Sequence, residues 1–207
     1  MILLVNGPNL NLLGEREPEV YGHETLADVE RMVTETCAGY GLEVKAFQSN
    51  WEGALLDFLQ LHRHEAQGVI LNPGALTHTS RALPDCLRSL RCPTIEVHIS
   101  NVHAREAWRH QSFVAEAAQG QIVGLGIAGY YYAALHHCTQ LAAKAGRAAA
   151  GAERPSAGAV EAGAQGGVAT GAPTSASPEG TGTGDLLPEP SQQIPVEQMA
   201  RGDYEPL

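Results

Sequence analysis

Lysine is nearly missing from this 207-residue chain, which has only Lys45 and Lys144. Lys45 falls in a predicted strand and Lys144 near the end of a predicted helix, so an imine mechanism, which needs a lysine amine in a pocket, is not expected. Cations are scarce overall, with 13 Lys plus Arg against 23 Asp plus Glu and a formal net charge of -10. Binding a phosphate backbone needs concentrated positive charge, so a nucleic-acid partner is not expected. The cysteines Cys37, Cys86, Cys92 and Cys138 stand far apart without a CxxC pair, which argues against a zinc knuckle or a disulfide framework and for reduced thiols in a cytoplasm. No apolar run is long enough to cross a bilayer, and no basic segment with a cleavage site precedes the first strand-like run. The expectation is a cytoplasmic protein with no membrane partner. No GxGxxG follows the first predicted strand and no GxxxxGK[ST] occurs, so a nucleotide cofactor is not the first expectation. From residue 147 onward Tyr204 is the only aromatic residue, and Ala, Gly, Pro, Ser, Thr and Gln dominate. Such a composition cannot build a core, so residues 147–207 are expected to be a disordered tail behind one folded domain, residues 1–146.

Within that domain, residues 2–5, 43–47, 68–71, 94–97 and 121–123 read as five strands buried on both faces. Helical spacing separates them. Thr25 and Asp28 suit a capping box, Leu26, Val29, Met32 and Val33 mark one face of the helix that follows, and Gly39 with Gly41 ends it. A second helix carries Leu55, Leu56, Leu59 and His62. A third carries Leu83, Cys86, Leu87 and Leu90, with Pro84 disturbing its first turns. A last helix over residues 128–144 ends at Gly146. Alternating strands and helices imply an α/β fold, a parallel sheet with helices on both faces and ligands at the carboxyl ends of its strands.

Those strand ends are rich in polar groups: Asn6 and Asn9 after the first, Gln48, Ser49 and Asn50 after the second, Asn72 and Gly74 after the third, and His98, Ser100 and Asn101 after the fourth. Alternation puts Glu96 and His98 on one face, where a carboxylate can orient an imidazole as an acid or base. The competing reading pairs Glu96 with Arg105 and leaves His98 on a buried carbonyl. In the segment running from Asn72 through Gly74 to His78 and Ser80, glycine permits close backbone approach and helix-start N–H groups favour an anion or a hydroxyl-rich ligand. Ordinary capping explains Thr79 and Ser80 equally well. The long first loop contains Arg16 and Tyr21; a guanidinium beside the phenol would favour its phenolate. A plain ion pair of Arg16 with Glu17 or Glu19 is the alternative.

Taken together, the stretches NGPNLNLLGEREPEVYG, FQSNWEGALLDFL, ILNPGALTHTS, IEVHISNVHAREAWR and IVGLGIAGY resemble type II 3-dehydroquinase, the enzyme that converts 3-dehydroquinate to 3-dehydroshikimate and water. The resemblance implies a flavodoxin-like three-layer fold around a five-stranded parallel sheet, with residues 1–146 as the catalytic domain, and a reaction without metal or cofactor. It implies that Tyr21 is the base, with Arg16 lowering its pKa, that Asn9 steadies an enolate, and that His98 is the general acid, oriented by Glu96. It assigns the ring hydroxyls of the substrate to Asn72, His78 and Arg109, its carboxylate to the backbone N–H groups of Ile99 and Ser100, and a rim position to Arg105. Asp85 matches a residue lent to a neighbouring subunit, which implies a homo-oligomer, a dodecamer assembled from trimers. Two other readings remain beside this one. Metal-assisted hydrolysis would use His78, His98, His103 and Glu96, though none shows the HExxH spacing. A small-ligand binding module would have no need for the dyad of Tyr21 with Arg16.

Overall fold

The computed structural model describes residues 1–15 and 23–152, with side chains as far as residue 148. Residues 16–22, which include Arg16 and Tyr21, and residues 153–207 lie outside the described residues. In chain order the elements are β1 (Ile2–Asn6), α1 (Leu26–Ala38), β2 (Val44–Gln48), α2 (Glu52–Leu61), β3 (Gly68–Asn72), α3 (Ala82–Ser89), β4 (Thr94–His98), β5 (Gly120–Val123) and α4 (Ala128–Ala152), with short 3-10 turns between several of them. All strand pairs are parallel, in the order β2-β1-β3-β4-β5. This is the expected α/β, flavodoxin-like three-layer architecture.

Strand alternation sorts the core into two halves. Ile2 and Leu4 of β1, Ile70 of β3, and Ile95 and Val97 of β4 pack against Val29, Val33 and Cys37 of α1 and Tyr130, Ala134 and Cys138 of α4. Leu3 and Val5 of β1, with Val69 and Leu71 of β3, face the other way onto Leu55, Phe58 and Leu59 of α2 and Leu83 and Leu87 of α3. On β4 that second face carries Glu96 and His98 in place of apolar residues, and both are buried. The pattern that builds the core thus also aims two titratable groups at one spot.

The expected capping box is present: the Asp28 amide donates to Thr25 Oγ1 at 3.3 Å and the Thr25 amide to Asp28 Oδ2 at 2.9 Å. The hydroxyl and amide of Thr25, with Arg31, hold the Asp28 carboxyl down at about 2. Four details depart from the sequence reading. First, Asn6, Gln48, Asn72 and His98 are last strand residues and not the start of loops, because the sheet pairs them, Asn6 with both Gln48 and Asn72 and His98 with Val123. Second, β2 and β5 are not buried on both faces; they are the sheet edges, and Lys45, Ala46 and Gln121 are exposed. Third, Pro84 disturbs nothing, since α3 begins at Ala82 and a first-turn proline lacks only an N–H that has no intrahelical acceptor. Fourth, α4 runs past Gly146 to Ala152; one glycine costs a helix about 1 kcal/mol and the alanines around it favour continuation. The four cysteines are free thiols, with Cys37 Sγ and Cys138 Sγ 3.7 Å apart. Among the described residues no helix is long and apolar enough to cross a membrane.

Candidate active site

In a sheet of this order the chain leaves β1 and β3 in opposite directions, and the gap between their carboxyl ends is the natural ligand crevice. Its floor is set by close backbone contact. Gly7 N–H donates to the Asn72 carbonyl at 2.7 Å, and a Cβ on Gly7 would lie 2.5 Å from the Pro73 carbonyl oxygen, so only glycine fits. Gly74, at φ 57°, closes over Pro8 from the other side. The result is an open cleft of about 150 Å³ whose wall includes Asn9, Asn72, His78, His98, Arg105 and Arg109.

Each polar group is held. Asn9 has φ 69°, a left-handed conformation that asparagine tolerates better than most residues, and its amide donates to Asn50 Oδ1 at 2.8 Å. Gln48 Nε2 donates to the Gly7 carbonyl at 3.1 Å, so the amide-rich end of β2 buttresses the first loop. Asn72 donates its side-chain N–H to the hydroxyl of Tyr130 at 2.7 Å, and that hydroxyl donates to Asn6 Oδ1 at 2.7 Å. Asn72 Oδ1 accepts from the Gly74 amide at 3.1 Å, which fixes the turn. Burial pushes the Tyr130 phenol up, so it stays neutral.

The two histidines of the cleft face each other with ring centroids 6.4 Å apart. His78 Nδ1 lies 2.7 Å from the Gln111 carbonyl, a partner that can only accept, so Nδ1 carries the proton and Nε2 keeps a lone pair. Burial holds His78 below the usual imidazole range, with that hydrogen bond opposing it. His98 Nε2 donates to Glu96 Oε1 at 2.8 Å, which gives the orienting pair expected from alternation; Glu96 takes His98 and not Arg105 as its partner. Burial pushes the Glu96 carboxyl up, but the hydrogen bond and charge of His98, with hydrogen bonds from Thr77 and Ser112, outweigh it and keep the group ionised.

Cationic groups crowd the rim. Arg109 donates from Nε to Glu106 Oε2 at 2.7 Å and stacks 4.0 Å from the Trp108 ring centroid, while Arg105 Nη1 reaches Ser100 Oγ at 3.4 Å. Ile99 and Ser100 line the cleft beside them. Two guanidiniums beside buried amides and an imidazole on a carboxylate suit an anionic, hydroxylated ligand that exchanges a proton with His98.

The structure therefore gathers Asn9, Asn72, His78, His98, Ile99, Ser100, Arg105 and Arg109 in one cleft, with Glu96 behind His98. Asp85 is exposed on α3 and does not line this cleft. The two assignments on Arg16 and Tyr21 lie outside the described residues. His78, His98, His103 and Glu96 do not form a metal centre: among the described residues no three His, Cys, Asp or Glu side chains gather as a metal would need. Sequence reasoning missed Thr77, Ser112, Gln121 and Tyr130. Only strand register would have found Gln121, which pairs with Glu96 across β4 and β5.

Comparison with known proteins points to one family. The family described as Dehydroquinase class II matches residues 1–138. A catabolic 3-dehydroquinase from Penicillium rubens is 55% identical over 143 residues, 69% of this chain and 92% of that protein. A 3-dehydroquinate dehydratase from Anoxybacillus flavithermus is 57% identical over 135 residues, 64% of this chain and 90% of its own length. Among solved structures, type II dehydroquinase from Butyrivibrio crossotus superposes with a TM-score of 0.62 at 46% identity, over 64% of this chain and 92% of that one. That of Propionibacterium acnes gives 0.64 at 40% identity, over 67% and 95%.

Proposed function

Since the chain belongs to the class II dehydroquinase family, we propose that it is a 3-dehydroquinate dehydratase, a hydro-lyase that removes water from 3-dehydroquinate to give 3-dehydroshikimate. One observation carries the reading: a buried carboxylate orients His98 at the wall of a cleft that also presents Asn9, Asn72, His78 and Arg109. In the proposed reaction a base takes a proton from the carbon beside the ketone, and the electron pair passes into an enolate. The enolate collapses as the carbon–oxygen bond on the adjacent carbon breaks. His98 gives its proton to the departing hydroxyl, which leaves as water, and the Glu96 carboxylate stabilises the imidazolium before that transfer. Asn9 offers hydrogen bonds where the enolate charge develops.

We assign the base to Tyr21, kept ionised by Arg16, approaching the ring from the face opposite His98, so that the elimination is anti. Ring hydroxyls go to Asn72, His78 and Arg109, and the carboxylate to the N–H groups of Ile99 and Ser100, beside the Arg105 guanidinium. Asp85, exposed and away from its own cleft, suits donation to a neighbour's site in a trimer-based dodecamer. Residues 1–146 form the catalytic domain, residues 147–207 an appendage, and the enzyme works in the cytoplasm in the shikimate pathway or quinate catabolism. No step calls for a metal or cofactor.

The test is direct. Purified protein is mixed with 3-dehydroquinate and the absorbance of the conjugated enone product is followed; folded protein that yields no enone would overturn the proposal. Tyr21→Phe and Arg16→Ala are each expected to lower turnover by orders of magnitude with an unchanged circular-dichroism spectrum, and a near-normal rate in either would remove the proposed base.

A further inference from the structure

Glu96 is buried, yet its carboxylate must stay ionised and keep one chosen oxygen on His98. Counting protons shows what this requires. Oε1 accepts from His98 Nε2 at 2.8 Å and from the Thr77 hydroxyl. Ser112 Oγ lies 2.9 Å from both Oε1 and Oε2 and 2.7 Å from Thr77 Oγ1. Its single hydroxyl proton is shared among those three acceptors. Among the described residues the one donor committed to Oε2 alone is Gln121 Nε2, at 2.6 Å. Gln121 sits opposite Glu96 in the register of β4 with the edge strand β5, and it is exposed on its outer side.

Gln121 approaches from outside the cleft. It lines an adjoining cavity of about 300 Å³ that shares His78, His98, Val102 and Arg109 with the cleft, and is itself absent from the wall of the cleft. Its side-chain amide is spent on Glu96, behind His98 as seen from the cleft. The charged or titratable groups around the pair are His98, bonded to Glu96, His78, on the turn after β3, and His103, Arg109 and His110, beyond β4. His98 acts on the carboxylate through its hydrogen bond and its charge, while Thr77, Ser112 and Gln121 are neutral and act on it by hydrogen bonds alone.

We propose that Gln121 is a positioning residue for the reaction: its amide holds Glu96 Oε2, which leaves Oε1 aimed at His98. Without that donor the carboxylate rotates toward the proton of Ser112 and releases the imidazole. The effect on turnover rests on the dehydratase reading above, whereas the effect on Glu96 does not.

Two substitutions test it. Gln121→Leu keeps the bulk and removes the donor; kcat is expected to fall about tenfold with KM nearly unchanged, since the lost interaction serves the acid and not substrate holding. Gln121→Glu places a second carboxyl against Oε2, where two like charges resist joint ionisation and the pair retains a proton to well above the ordinary carboxyl range. Protonated, that carboxyl still donates to Oε2. Its kcat relative to wild type is therefore expected to recover as pH falls and to drop as pH rises through the new inflection. A pH-independent loss in Gln121→Glu, or full kcat in Gln121→Leu, overturns the role. In substrate-free protein, carbon-13 NMR of labelled glutamate should show the raised carboxyl titration in Gln121→Glu, and its absence would also overturn the role. That titration stands even if wild-type protein fails to dehydrate 3-dehydroquinate, a result that would sink only the proposed function.

Discussion

Replacing Tyr130 by phenylalanine removes one oxygen and isolates two buried amides. The hydroxyl accepts from Asn72 at 2.7 Å and donates to Asn6 at 2.7 Å, and Asn6 and Asn72 are only 0% and 3% exposed, so water cannot take its place. Among the described residues Asn6 Nδ2 already has no partner. Each newly unpaired buried group costs about 1–3 kcal/mol, and partial rearrangement of the two amides brings the sum to roughly 2–4 kcal/mol. For a domain of this size that lowers the melting temperature by about 5–15 °C. Thermal unfolding followed by circular dichroism measures it, with Tyr131→Phe as the control because Tyr131 is 38% exposed. The same change loosens Asn72 at the cleft wall, so KM for 3-dehydroquinate should rise several-fold while kcat changes less. A Tyr130→Phe melting temperature within about 2 °C of wild type would refute the argument that this hydroxyl ties the core to the site.

Glu96→Gln exchanges a charged acceptor for a neutral amide beside His98; a charge-assisted bond worth about 1.5–3 kcal/mol predicts a kcat loss of roughly ten- to a hundredfold, and an enone-formation rate within about twofold of wild type would contradict it. Gly7→Ala forces a Cβ to within 2.5 Å of the Pro73 carbonyl, so the β1 and β3 ends must separate; lower urea resistance together with lost turnover is expected, and a stable, active variant would show that the crevice floor yields easily. Burial holds His62, His78 and His137 below the ordinary imidazole range, so the unfolded chain binds more protons than the folded one once pH drops below about 6.5. Their contribution to stability is complete above that pH and is lost as pH falls toward their folded values. The urea midpoint should therefore be lower at pH 5.5 than at pH 7.5, and an equal or higher midpoint at the lower pH would reverse the assigned direction.

The parts of the molecule that follow from local chemistry were legible in the sequence. Short apolar runs identified β1, β3 and β4 as strands buried on both faces, Thr25 with Asp28 identified the start of α1, and period-two spacing placed Glu96 with His98. Parts that depend on which distant segments meet were not. Thr77, Ser112 and Gln121 come from three separate stretches and share a target only because the sheet and its turns bring them to Glu96. Tyr130, which sequence reasoning placed only within the last helix, joins Asn6 and Asn72, 124 and 58 positions away. The exposure of β2 and β5 depends on strand order, which apolar runs do not encode. The end of α4 turned on a near balance between one glycine and its alanine neighbours. Arg16 and Tyr21 came from resemblance, and residues 16–22 lie outside the described structure.

The last helix leaves β5 beside the cleft and runs for 25 residues, about 37 Å of rise, to the opposite pole, where its final turns flank Tyr40, Arg91 and Cys92. A dye or a solid support coupled at Ala152 itself would start about one helix length from the β5 end of α4. Anchored by that pole, the protein would offer its reactive mouth to the surrounding liquid.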